Sequence, residues 1–167
     1  MYWIKKCNDY VFKILRLLLV AIVMVLTGVT FLQVVLRYVL KLPLPWGEEL
    51  ARYLFVWLTF LGSAAAVRTK AHIIMDLVIN TIPVRFKKMV NILAYIIFLA
   101  FCGLLIIQGW QLMVMNMGQK SDALKVPMAY PYVVIPLGAF FMAIFLLEQV
   151  MEIMQSREAE QTKSAAN

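Results

Sequence analysis

The stretch Pro45–Arg68, PWGEELARYLFVWLTFLGSAAAVR, decides how the chain is read. Its uncharged part, residues 53–67, is only 15 residues long. A helix needs about 20 residues, each rising about 1.5 Å, to cross roughly 30 Å of hydrocarbon. The run therefore spans a bilayer only if its helix starts near Trp46 and takes in Glu48, Glu49 and Arg52. The unpaired N–H groups at a helix N-terminus make that end partly positive, so carboxylates suit it. Glu48 and Arg52 are four apart and Glu49 and Arg52 three apart, which sets opposite charges on one face. Trp46 falls at the depth of an interfacial anchor.

The rest of the chain supports a membrane reading. Of its 167 residues 63% are hydrophobic and 15% charged. A soluble domain of this size has too much surface to hide that share. The charges cluster and leave three further uncharged runs, residues 17–36, 89–119 and 126–147. The first and last fit a span directly, and the middle one is long enough to tilt or to project into water. We read an all-α integral membrane protein with spans at about 14–37, 46–67, 86–115 and 129–151. They form one domain over 1–154, followed by a disordered polar tail over 155–167. The first run is too long for a cleaved signal peptide, and RYVLK follows it where small residues would mark a cleavage site.

Lys and Arg favour cytoplasmic loops. The N-terminus, the loop after the second span and the C-terminal tail hold eleven of the 16 basic residues. Both termini are therefore expected in the cytoplasm. The net charge of +7 then reflects topology, and no nucleic-acid partner is needed.

Two further segments have helical spacing. Trp3, Cys7, Tyr10 and Ile14 recur as one stripe, which suits either a short amphipathic segment on the inner leaflet or a frayed terminus. Between spans two and three, Ile74, Val78 and Ile82 oppose His72, Asp76 and Asn80, the pattern of an in-plane helix that Pro83 ends. Lys87 and Lys88 follow at a depth where they can snorkel. Pro131 suits a helix start, and Pro136 should kink the fourth span or loosen a backbone bond.

The missing chemistry narrows the function. The uncharged runs hold no Asp, Glu, Lys or Arg. Ionisable groups inside a membrane mark proton relays and ion pathways, and paired broken helices mark a transporter site. Neither is present in the sequence. His72 is the sole histidine, so a bis-histidine haem or a His-rich metal centre is excluded, and a local pair with Asp76 is the simplest reading. Gly62 and Ala66 have the small-xxx-small spacing that permits close helix approach, either within this chain or against another subunit.

The run LPLPWGEELARYLFVWLTFLGSAAAVRTKAHIIMDLV resembles the small membrane subunit of tripartite ATP-independent periplasmic (TRAP) transporters. The matching features are Trp46, Glu48, Glu49 and Arg52, then the small residues from Gly62 to Ala66, then Arg68, His72, Ile73 and Asp76. The four-span layout matches as well, and the chain resembles the form not fused to its large subunit. The resemblance implies a non-catalytic part of a sodium-driven importer of organic acids, such as C4-dicarboxylates or sialic acids. A periplasmic substrate-binding protein delivers the substrate, and a large membrane subunit carries it by an elevator-type movement. No cofactor is implied for this chain, because sodium binds the large subunit.

On this reading Trp46, Glu48, Glu49 and Arg52 fix the periplasmic mouth of helix two or meet a partner there. Gly62 and Ala66 pack helices. Arg68, Lys70, His72, Asp76, Lys87 and Lys88 line a cytoplasmic loop near phospholipid headgroups. The alternatives are a haem-free membrane anchor of an electron-transfer enzyme, or a small self-sufficient carrier. The orientation is directly testable. A fluorescent protein fused to the C-terminus should fluoresce, and alkaline phosphatase at the same site should be inactive; the reverse pattern would invert the topology.

Overall fold

Among the described residues of the computed structural model, four helices are long and apolar enough to cross a membrane. The structure describes residues 2–69 and 84–165, with side chains for 6, 8–69, 90 and 92–151. The elements are α1 (Tyr2–Tyr38), α2 (Pro45–Arg68), α3 (Val84–Met115), a single turn α4 (Ala129–Tyr132) and α5 (Val134–Ala165). All are helical, as expected. The spans within them are Asn8–Tyr38, Pro45–Arg68, Ile92–Met115 and Ala129–Met151. Pro45 occupies the first helical position of α2, where its missing N–H costs nothing. The helix therefore does absorb Glu48, Glu49 and Arg52.

Two proline effects shape the last span. Pro131 lies in the single turn α4. Pro136 has no N–H, so the Tyr132 carbonyl loses its partner four residues on, and the helix is interrupted at Val133. Val133 keeps helical angles (φ −59°, ψ −26°), so α4 and α5 form one loosened span.

The helices pack in the order α1, α2, α5, α3. The last span is the most enclosed of the four and the first the least. The core follows α5, with Val134, Ala139, Met142, Phe145 and Leu146 buried against Leu61, Ala64 and Val67 of α2 and Cys102 of α3. Outward faces are apolar and bare, including Leu17, Met24 and Phe31 on α1 and Ile96, Leu104 and Trp110 on α3. Lipid tails are as apolar as leucine, so association depends on close packing and polar contacts. Close approach to a neighbouring helix backbone is visible at Gly138 and Gly109. A Cβ on Gly138 would lie 2.8 Å from Phe60 Cβ and 3.1 Å from the Phe60 carbonyl oxygen, so α2 and α5 meet backbone to backbone. A Cβ on Gly109 would lie 2.9 Å from Pro136 Cδ, which brings α3 equally close to α5.

Three findings bear on these expectations. First, α1 is one continuous helix of 37 residues, with no separate in-plane segment at the N-terminus. No Gly or Pro interrupts it before Gly28. The face it buries holds Asn8, Leu15 and Ile22, while Tyr10 and Ile14 are exposed. Second, α5 continues as helix to Ala165, past residue 155 where the disordered tail was expected to begin. Third, a Cβ at Gly62 would meet nothing within 4 Å, so packing inside this chain does not require that glycine. The expected in-plane helix after α2 lies outside the described residues.

Gly138→Ala should lower the stability of the detergent-solubilised protein by about 1–3 kcal/mol, because Phe60 backbone must move. Gly62→Ala should raise it by roughly 0.5–1 kcal/mol through helix propensity alone. Thermal unfolding of the two variants checks the contrast, and equal losses would contradict the packing described.

Candidate functional site: two polar clamps at the helix ends

The helices run alternately, so the α1–α2 and α3–α4 connections share one side, here the connection side. The termini and the C-terminal end of α2 share the other, the terminal side.

On the connection side, residues 119–128 form a small closed loop. The Ser121 N–H donates to the Val126 carbonyl at 2.9 Å and the Met128 N–H to the Gln119 carbonyl at 2.8 Å. Lys125, with φ 56°, reverses the chain within it. This turn exposes two successive N–H groups, those of Ala123 and Leu124, and such pairs form a concavity for an anion. The Glu49 carboxylate occupies it: Oε2 accepts from Ala123 at 3.0 Å and from Leu124 at 2.9 Å. The Tyr53 hydroxyl, one turn along α2, donates to Glu49 Oε1 and lies 3.2 Å from Met128 sulfur. Hydrogen bonds to a charged acceptor are roughly twice as strong as neutral ones. One side chain thus ties the start of α2 to the connection between α3 and α4.

Its neighbour behaves differently. Glu48 lies 3.8 Å from Arg37 of α1, with both side chains more than half exposed (65% and 71%), an arrangement that contributes little. Arg52 and Trp46 are also exposed. The four residues named from sequence therefore divide, with Glu49 turned inward and Trp46, Glu48 and Arg52 outward.

On the terminal side, Arg68 ends α2. Its Nη2 lies 2.6 Å from Asp9 Oδ1 of α1 and its Nη1 3.2 Å from Glu148 Oε1 of α5. The second contact is within ion-pair range but outside hydrogen-bond geometry, so charge holds it. Asn8 of α1 donates from Nδ2 to Glu148 Oε2 at 2.7 Å. The guanidinium carbon also sits 6.0 Å above the Phe145 ring. Gln149 donates to the Val67 carbonyl, and Thr69 to those of Ala65 and Ala66, so three of the last four carbonyls of α2 are satisfied. Glu148 is 2% exposed.

Arg68 was expected at the headgroups; instead its side chain is 17% exposed and engaged by two internal acids. Asn8, Asp9, Glu148 and Gln149 were not singled out from sequence. The available signal was depth: under the four-span layout Asp9, Arg68 and Glu148 all fall at the same ends of their helices. Lys70, His72 and Asp76 lie outside the described residues. Lys87 and Lys88 lie in the first turns of α3, and their side chains are outside the description. Ala66 is half-buried. Among the described residues, no three His, Cys, Asp or Glu side chains converge as metal ligands would.

The acids of the four spans are Asp9, Glu48, Glu49 and Glu148. Each lies near the end of its span and within ion-pair or hydrogen-bond reach of a group in the chain. The arrangement can clamp helices, and among the described residues no carboxylate lies in the middle of a span. The clamps make a clear contrast. Glu49→Ala should accelerate amide exchange over residues 119–128 about tenfold, since two N–H groups lose a charged acceptor. Glu48→Ala should leave it unchanged. Equal protection in the two variants, read by hydrogen-exchange mass spectrometry, would contradict the role given to Glu49.

Comparison with known proteins agrees with this layout. The chain is 32% identical to the isethionate TRAP transporter permease protein DctMQ of Oleidesulfovibrio alaskensis over 63% of its own length, but spans only 17% of that longer protein. It is 23% identical to the C4-dicarboxylate TRAP transporter small permease protein DctQ of Vibrio cholerae, covering 93% of this chain and 77% of the relative. It is 24% identical to the sialic acid small permease protein SiaQ of the same organism, covering 91% and 88%. Residues 26–156 match the family described as tripartite ATP-independent periplasmic transporters, DctQ component. With four spans and that match over most of its length, the chain belongs to the DctQ family of TRAP transporters, as a multi-pass inner-membrane transporter component and not an enzyme.

Proposed function

We propose that this chain is the stationary brace of a sodium-driven TRAP importer of an organic acid. It holds a large membrane subunit, and that subunit binds sodium and carries the substrate by an elevator-type movement. The observation that supports this most is the engagement of the two least exposed span acids, Glu49 and Glu148, inside the chain. A carrier needs an intramembrane group that can take up and release its coupling ion, whereas a brace needs helix ends tied to one another. DctMQ, a permease that is much longer than this chain, supports a large partner subunit. Relatives named for C4-dicarboxylate and for sialic acid support an organic anion as substrate.

Roles follow from the two clamps. Glu49 holds the geometry of the expected periplasmic side. Trp46, Glu48 and Arg52, exposed beside it, are assigned to contact with the large subunit or the docked binding protein. Gly62 and Ala66 are assigned to helix contact outside the chain. Lys70, Lys87 and Lys88 are assigned to anionic headgroups, at about 1 kcal/mol per basic residue.

Reconstitution tests the proposal. Liposomes holding this chain alone should accumulate no organic acid under an inward sodium gradient. Adding the large subunit that co-purifies with it, and the binding protein, should start uptake. Accumulation by the chain alone, or full uptake without it, would overturn the proposal.

A further inference from the structure

Among the described side chains of α1, Asn8, Leu15 and Ile22 are the buried ones, and they recur every seven positions. That is the repeat of a single heptad position, and in coiled coils one polar residue at such a position sets register while apolar ones set affinity. In lipid the apolar part of such a repeat is weakly specifying, because tails offer α1 equivalent contacts. The polar member therefore matters more here than in water.

Asn8 and its neighbour Asp9 meet a group drawn from two other helices. Arg68 of α2 faces Asp9 at 2.6 Å and Glu148 of α5 at 3.2 Å, and Glu148 accepts from Asn8 at 2.7 Å. Beneath them Phe12 of α1 meets Phe145 of α5 edge to face, with ring centroids 6.4 Å apart. We propose that Arg68, Glu148, Asn8 and Asp9 form a latch that fixes the register and position of the N-terminal third of α1 against α2 and α5. It is independent of the Glu49 clamp at the opposite side.

The latch closes as a unit. The Asp9 arm alone is an exposed ion pair, with that side chain 67% exposed, and contributes little. The Glu148 arm differs, because its carboxylate is buried. Removing either Arg68 or Asn8 leaves a buried charge short of a partner, which is far costlier than removing an exposed pair. Removing Arg68 and Glu148 together in favour of apolar groups leaves no such charge, so the bundle folds while α1 loses its polar anchor. Without it, the remaining apolar seam permits α1 to swing or slide.

Distance measurement between spin labels tests this on the full chain in lipid nanodiscs, with both native cysteines replaced. One label pair at Lys13 and Leu147 reports α1 against α5. A second at Phe55 and Phe140 reports α2 against α5. In Arg68→Met/Glu148→Met, the first distribution should broaden about twofold and the second stay unchanged. Asn8→Ala/Asp9→Asn, which keeps the Arg68–Glu148 pair, should broaden the first in the same direction and decides the matter if the other variant does not fold. An unchanged first distribution in the folded variants overturns the latch, since packing then suffices. Equal broadening of both pairs also overturns it, since the group would hold the whole bundle and not α1 in particular.

Discussion

In hydrocarbon, helices gain nothing by hiding apolar surface from one another, so something other than hydrophobic burial must hold this chain together. Here it is a pair of polar clamps at the helix ends, with close backbone approach between them. Glu49 reaches two loop N–H groups 74 and 75 positions away. Arg68 reaches acids 59 and 80 positions away, on α1 and α5. Between the clamps, Gly138 and Gly109 let α2 and α3 approach the central helix. The outer faces of α1 and α3 are left to lipid or to a partner.

This division explains an otherwise odd use of charge. A greasy chain carries two carboxylates in the first turn of a membrane helix. Helix electrostatics allow both, but only one serves the fold. Glu49 points to the loop that closes over the end of the bundle, and its anion fills a site that backbone dipoles have already shaped. Glu48, one residue earlier, turns about a hundred degrees around the helix and meets Arg37 in the open. A brace requires the first kind of contact, and a partner surface can use the second.

The spans were legible because uncharged run length is a direct record of bilayer thickness, and the short second run forced its own charges into the helix. The N-terminal stripe carried no sign of the packed face: Tyr10 and Ile14 are exposed, while Asn8 and Leu15 are buried. Small-residue spacing drew attention to Gly62, yet the close contacts occur at Gly109 and Gly138, since spacing along one helix carries no information on which face meets a neighbour. The partners of Glu49 and Arg68 were out of reach for a related reason. Each pairing joins distant segments, and for Glu49 the partners are backbone groups that no side-chain pattern records.

The central claim is that this subunit keeps its shape while its partner moves. The most direct measurement is the distance between spin labels at Leu40 and Lys120, across the connection side of the small subunit, in the assembled transporter with and without sodium and substrate. The account predicts one unchanged distribution in all conditions, while labels on the large subunit shift. A sodium- or substrate-dependent shift between Leu40 and Lys120 would show that the small subunit moves with the cargo and contradict the account.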